Sequence, residues 1–224
     1  MSEKPIGEAV YFMTSRVLLQ IARESCEQSR TRVSEAIVAL VFSAFYVEAV
    51  TNELLHRITT ISPDEADKIP SLRRLRNLAA ASELESRFVR FRTKLQLISL
   101  GLRDELFDKG AQSYRDLDLL MSLRDSIVHN RPETLKIGAK SPGDPSFPQE
   151  ELNRLSKALI VRRVVPKPDP FVLTGLLSAI TQREVAVWAV NTAITVAETL
   201  AEAMPSRYWR DLVFFAHDFS RVAL

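Results

Sequence analysis

The stretch Ala36–Leu55, "AIVALVFSAFYVEAVTNELL", decides the fold of this chain. It is apolar almost all the way round a helical projection, which is typical of a helix enclosed by other helices. The chain of 224 residues is 46% hydrophobic and 26% charged, which suits a folded domain with a sizeable core. Only 6 glycines are present, and the 11 prolines lie mostly between the periodic segments. We therefore predict a central helix over 31–60 in an all-α bundle.

The same reading predicts long antiparallel helices on either side of this one. The predicted segments are 8–29, 83–107, 114–128, 149–158, 170–203 as one unbroken helix, and 206–220. Ser62 is a predicted N-cap within the loop 60–71, and Ser113 is the predicted cap of the helix 114–128. Residues 131–148 predict a proline-rich surface loop, and 158–165 is either irregular or helical. No boundary divides the chain, so we expect one domain over 1–224, with its core at about 30–135 plus 170–203.

Composition also bounds the class of protein. The single cysteine, Cys26, excludes an internal disulfide framework and is typical of a reducing compartment. The apolar run Ala36–Val47 lies between Glu35 and Glu48 and is too short to cross a bilayer, so we expect a cytoplasmic protein with no membrane contact. There is no glycine-rich phosphate loop and no zinc-ligand spacing, so neither a cofactor nor a metal is expected.

The segment Ser122–Glu133, "SLRDSIVHNRPE", carries an unusual placement of charge. Arg124 falls in the middle of the apolar half of its predicted helix, where a charge is least favourable. His129 follows near the helix end, and on a continuous helix the two side chains would point about 140° apart. Pro132 disfavours helix at Arg131, so the last turn can open and bring His129 towards Arg124.

Polar residues elsewhere could support this pair. Asp125 precedes His129 by one helical turn, where its carboxylate could hold the imidazole in one tautomer. Glu48, Asn52 and His56 are spaced four residues apart and form a polar row on the enclosed helix. Glu48 is the candidate partner for Arg124, and Asn52 suits a hydrogen bond between helices. A purely structural Arg124, with its stem along the core and its head on an acid, is the alternative.

The spacing of arginine and histidine is not specific by itself. Arg210 and His217, with six residues between them, show a similar spacing. The segment around Arg124 is distinguished by its position on an apolar helix face and by the acids that surround it.

"FSAFYVEAVTNELL", followed by "LRDSIVHNRPE" in an all-α chain, resembles the HEPN domains. Their signature is an arginine, four to six residues, then a histidine, with a polar residue directly after the arginine. Arg124, Asp125 and His129 match it, and Glu48 and Asn52 match the type of residue that often faces the motif. The resemblance covers roughly 30–135, with the helix 170–203 as a bundle member. No tyrosine follows two residues after the histidine, unlike the toxin branch often paired with small nucleotidyltransferases.

The resemblance implies a metal-independent endoribonuclease of a toxin or antiviral defence system, in which two protomers join their motifs across a homodimer. His129 would be the general acid or base at the scissile phosphodiester, and Arg124 would bind the phosphate. Asp125 would orient the histidine, with Glu48 and Asn52 as supporting residues. An antitoxin or a nucleotidyltransferase is a possible partner. The alternatives are a non-catalytic HEPN-like module that binds RNA, nucleotide or protein, with Arg124 locked to its acid, and a purely structural bundle.

Two basic runs, "KIPSLRRLRN" and "RFVRFRTK", are candidates for contact with an RNA backbone. The candidate RNA-binding residues are Arg73, Arg74, Arg76, Arg90 and Arg131. The alternative is a solvated helix face on which Glu83 and Glu85 pair with some of these arginines.

Overall fold

The structure is a computed structural model, which describes residues 14–82, 84, 89–129, 154–166, 176–214 and 217–224. All regular secondary structure in these ranges is helical. The helices are α1 (Thr14–Gln28), α2 (Ser34–Thr60), α3 (Pro63–Asp67), α4 (Pro70–Ala81), α5 (Phe91–Arg103), α6 (Gln112–Val128), α7 (Arg154–Val161), α8 (Leu176–Ile180), α9 (Arg183–Glu202) and α10 (Arg207–Phe214). The predicted all-α class is confirmed. The predicted proline-rich loop at 131–148 lies outside the described residues.

Helix α2 is the centre of the fold, as its all-round apolar sequence predicts. No residue from Glu35 to Thr51 is exposed, and α2 packs against α1, α4, α5, α6, α9 and α10. Helix α9 is its main counterpart in the core, since no residue from Val185 to Ala201 is exposed. The hydrophobic stripes of the other helices close over these two, which is how amphipathic helices bury their apolar faces.

The length of α2 corrects one expectation. Its 27 residues exceed the short apolar run seen in the sequence, and among the described helices it alone has the length and apolar composition to cross a membrane. The core helix of a folded domain satisfies the same criteria. Half of the most apolar 18-residue stretch of α2 is buried inside the protein.

Helices α1 and α2 form an antiparallel hairpin. Ser15, at the start of α1, donates two hydrogen bonds to the carboxylate of Glu53, near the end of α2: one from its backbone N–H at 3.0 Å and one from its hydroxyl at 2.5 Å. Helix α9 begins beside the end of α1, where Arg183 donates from Nη1 to the Cys26 carbonyl at 2.9 Å. These contacts fix how the ends of three core helices are aligned.

Helices α4 and α5 approach each other closely at one glycine. A Cβ atom on Gly101 would lie 2.7 Å from the Cα of Leu75, far inside van der Waals contact. Beside it, Arg74 donates from Nε to the Gly101 carbonyl at 2.9 Å. Arg74 also lies 3.4 Å from Asp104, so the first half of α4 packs against the end of α5.

Several predicted boundaries are wrong. Of the helix predicted over 83–107, the structure has α5 at Phe91–Arg103 after an extended Arg90, and residues 83 and 85–88 lie outside the described residues. The sequence analysis predicts no helix at the position of α4. The single helix predicted over 170–203 is interrupted at 181–182, where Gln182 is extended with φ −78° and ψ 141°. The final helix ends at Phe214 rather than at 220. The apolar periodicity of the sequence does not mark these interruptions.

The two predicted caps differ in outcome. Ser62 does cap α3, with its hydroxyl oxygen accepting from the Glu65 N–H at 3.3 Å. Ser113 does not cap α6, because the helix begins at Gln112 after Ala111. A serine can occupy the first turn of a helix without capping it, so its presence near a helix start locates the start only within a residue or two.

Candidate functional site

Helix α6 holds Arg124 against α2. The Arg124 guanidinium donates from Nη2 to Glu48 Oε1 at 2.5 Å, with 15% of the arginine side chain and 29% of the glutamate side chain exposed. The guanidinium carbon also lies 5.7 Å from the centre of the Phe45 ring, a cation–π distance. An arginine in an apolar stripe is therefore accommodated by one acid and one aromatic ring from the central helix.

Asp125 makes a second, weaker contact to the same guanidinium. Its Oδ1 lies 3.2 Å from Arg124 Nε, yet Nε makes no hydrogen bond among the described residues. Half of the Asp125 side chain is exposed, so water screens this contact. Glu48, not Asp125, is the main partner of Arg124.

His129 stays on the other side of α6. It is the C-cap, with φ −91° and ψ 7°, and its backbone N–H donates to the Asp125 carbonyl at 3.1 Å. The last turn is therefore closed, contrary to the expected opening. Because the turn keeps its helical geometry, His129 and Arg124 remain about 140° apart around the axis. His129 is exposed, and one protomer does not bring the two residues into a common cleft.

Asn52, the next member of the polar row on α2, contacts α5. Lys94 donates from Nζ to Asn52 Oδ1 at 3.0 Å, although the lysine is only 7% exposed. Arg92, two residues earlier, lies 2.6 Å from Asp118 on α6. Asn52 thus makes the hydrogen bond between helices that its position suggests, and a strip of charged and polar pairs runs between α2, α5 and α6.

The predicted RNA-binding arginines do not form one cluster. Arg74 is occupied by the Gly101 carbonyl and lies 3.4 Å from Asp104, and Arg76 is partly buried. Arg73 and Arg90 are exposed. Arg73 adjoins Arg74, which contacts the Gly101 carbonyl, whereas Arg90 precedes Gly101 by eleven residues, a rise of about 17 Å along α5.

Arg131, the last of the predicted RNA-binding residues, lies outside the described residues. The exposed positions that remain, Arg73 and Arg90, could each contact a phosphate, but they are separated by several nucleotides' length of backbone. The basic runs of the sequence therefore become separate charges on the folded surface.

The second arginine–histidine spacing does converge on a cleft. Arg210 and His217 line an open cleft of about 580 Å³ between α9, α10 and the segment that follows α10. Three acids share the lining: Glu198, Glu202 and Asp211. Convergence of an arginine and a histidine is thus found at the pair that the sequence did not favour.

Both ring nitrogens of His217 are engaged, however. Nδ1 lies 3.1 Å from the Tyr46 hydroxyl, and Nε2 lies 3.4 Å from Ser15 Oγ. Since Ser15 donates its hydroxyl hydrogen to Glu53, it accepts from His217 Nε2–H, which leaves Nδ1 to accept from Tyr46. The hydrogen bonds therefore run in one direction, from Tyr46 through His217 and Ser15 to Glu53.

Burial sets the charge state of this network. Desolvation first, and then the positive charge of Arg16, lower the pKa of His217 to about 4. Burial likewise raises the pKa of Tyr46 above its ordinary value. A neutral His217 that makes a hydrogen bond at each ring nitrogen is a structural group. The network escaped the sequence analysis because its four members come from α1, α2 and the segment after α10, and no local signal links them.

Among the residues that the structure describes, no group of three or more histidine, cysteine or acidic side chains could hold a metal ion. Comparison of the chain with protein-family models, with curated proteins and with solved structures found no match. The functional argument therefore proceeds from the residues and their geometry.

Proposed function

We propose that the chain is a metal-independent endoribonuclease of the HEPN type, completed by a homodimer. The observation that supports it is the arrangement on α6, where His129 is exposed at the helix end while Arg124 is held firmly by Glu48. The two side chains point about 140° apart, so one protomer cannot present both to a single phosphate. A second copy would supply the missing half of each site.

Each residue has a role that suits its surroundings. An exposed His129 imidazole can take a proton from a ribose 2′-hydroxyl or give one to the leaving 5′-oxygen. Glu48 occupies one of the five N–H donors of Arg124 and Nε is buried, so donors on the two Nη atoms would bind a phosphate whose charge grows in the transition state. Asp125 lies one turn before His129 and can orient it, while Asn52 supports α2 against α5.

The proposal also carries expectations about the setting of the protein. RNA would be the substrate, and the protein would act in the cytoplasm as a toxin or an antiviral defence component. An antitoxin or a nucleotidyltransferase would be the further partner. Exposed Arg73 and Arg90 are the described arginines best placed to contact RNA away from the scissile bond.

A non-catalytic HEPN-like module that binds RNA, nucleotide or protein is the second candidate. The Arg124–Glu48 contact of 2.5 Å favours it, because an arginine whose charge is neutralised and whose side chain is only 15% exposed binds an external phosphate less well than a free one. In this account α6 is a structural helix, and binding relies on exposed residues elsewhere.

The test is cleavage of a fluorescent mixed-sequence RNA in EDTA by the wild type, His129→Ala and Arg124→Ala, with His56→Ala as a matched control. His56 is also exposed, but on α2. We expect loss of cleavage in the first two variants only, with circular dichroism confirming that each is folded. If the wild type is inert at high enzyme concentration, or if the variants cut equally well, the catalytic proposal is wrong and the non-catalytic binding module is favoured.

Mixing the two inactive variants tests the composite site. In a heterodimer, Arg124 from one protomer and His129 from the other restore one of two sites. Random exchange makes half of the dimers mixed, so about a quarter of wild-type activity should return. If activity needed both residues of one protomer, the mixture would stay inactive.

A further inference from the structure

Residues 217–224, "HDFSRVAL", lie without helix or strand structure in a groove between α1 and α9. Asn191 of α9 pairs with both main-chain groups of one residue in this segment. Its Nδ2 donates to the Val222 carbonyl, and its Oδ1 accepts from the Val222 N–H, both at 2.9 Å. A side-chain amide thus makes the two hydrogen bonds that a neighbouring β-strand would make.

Two arginines extend this recognition of the backbone. Arg23 of α1 donates from Nη2 to the carbonyls of Asp218 and Ser220, at 2.8 and 2.6 Å. Arg183 at the start of α9 donates from Nη2 to the Ala223 carbonyl at 2.9 Å. Four main-chain carbonyls of the segment are therefore held by three side chains of the groove.

The spacing of the contacts indicates an extended peptide. His217 contacts the start of α1, while Ala223 is bound by Arg183, which also contacts the Cys26 carbonyl at the end of α1. Cys26 lies eleven residues after Ser15, a rise of about 17 Å along α1. Six residues of nearly extended chain span about 20 Å, so the segment runs along most of α1.

Side chains add selectivity to these backbone contacts. Phe219 packs against Phe214 and His217, with ring centres 6.1 Å away in each case. Phe219 and Val222 both pack against the hydrophobic core, and Arg221 pairs with Glu198. The groove is therefore selective for an aromatic residue and, three residues later, a β-branched one.

We propose that this groove is a docking site for an extended peptide, which residues 217–224 fill within one protomer and into which the same segment of a second copy exchanges. The segment of a second copy carries the same acceptors, donors and apolar side chains, so every contact described above can be made between two chains. Within one chain the segment competes at a millimolar effective concentration. Exchange with the segment of a second copy therefore becomes measurable when a substitution weakens the binding of the chain's own segment. This inference does not depend on RNA cleavage.

A peptide of residues 217–224, labelled with a fluorophore, tests the site by fluorescence anisotropy. The acceptor is the full chain with Val222→Pro, because proline removes the N–H that donates to Asn191 and restricts the preceding residue. Phe219→Ser, which removes the aromatic anchor but leaves the groove intact, is a second acceptor in case the first does not fold. Circular dichroism establishes that each acceptor keeps its helices.

We expect saturable binding to the acceptor, at least tenfold weaker binding to the wild-type chain, whose groove is filled, and at least tenfold weaker binding when Asn191→Leu is added to the acceptor. A peptide that carries proline in place of its valine should lose binding to the same extent. Absence of saturable binding to two folded acceptors up to about 1 mM peptide, the effective concentration of a tethered segment, would overturn the proposal. Binding that is unaffected by Asn191→Leu in the acceptor and by proline in the peptide would overturn it as well.

Discussion

The ion pair between Arg124 and Glu48 allows a quantitative prediction for Glu48→Gln. Removing one partner of a fully buried pair costs about 3–5 kcal/mol, whereas an exposed pair is worth about 0–1 kcal/mol. With side chains 15% and 29% exposed, this pair lies between the two limits. The glutamine keeps the shape and a hydrogen-bond acceptor but loses the charge. We therefore expect a loss of about 2 kcal/mol in the free energy of unfolding, or about 4–8 °C in Tm for a chain of this size.

A double-mutant cycle isolates the pair itself. Arg124→Met keeps an apolar stem on the α6 stripe, and the cycle of Glu48→Gln, Arg124→Met and the double variant should give a coupling energy of about 1–2 kcal/mol. Urea unfolding followed by circular dichroism measures each variant. Asp125→Asn is the matched control, because its half-exposed carboxylate makes no hydrogen bond to Nε, and it should cost less than about 0.5 kcal/mol. A coupling energy below about 0.5 kcal/mol, or equal losses for Glu48→Gln and Asp125→Asn, would refute the reasoning.

Three further predictions concern the rest of the molecule. The pKa of His217 is lowered to about 4, so stability that is present above pH 6.5 should be lost as the pH falls to 4, by up to about 3 kcal/mol. Urea unfolding at several pH values measures this loss, and the free energy of unfolding should depend less on pH in His217→Gln. Gly101→Ala would place a Cβ 2.7 Å from Leu75 Cα and should cost about 1–3 kcal/mol in unfolding free energy, while unchanged stability would contradict the close approach of α4 and α5. Burial raises the pKa of Cys26, against the opposing charge of Arg183, so iodoacetamide should modify the native thiol at least tenfold more slowly than the urea-unfolded one, and equal rates would contradict its burial.

The sequence by itself determined the class of fold and the identity of its central helix. Residues 36–55 are apolar on almost every side, so this helix has to be enclosed by other elements, and the rest of the sequence offers mainly helical periodicity to enclose it. It also indicated the pairing of Arg124 with Glu48. A charge in each of two apolar faces needs a partner of opposite sign, and few candidates were present. These conclusions depend on composition and local periodicity, which a single sequence carries in full.

Only the tertiary structure decided where the helices break and which polar groups meet. The extended Gln182 has no breaker residue beside it, and the closed last turn of α6 kept His129 away from Arg124 despite Pro132. The network through His217 joins residues 171 and 202 positions apart in the chain. The groove that holds residues 217–224 is likewise made by helices distant in sequence. Hydrogen bonds of this kind depend on distances of a few ångströms between side chains, and those distances exist only after the helices have packed.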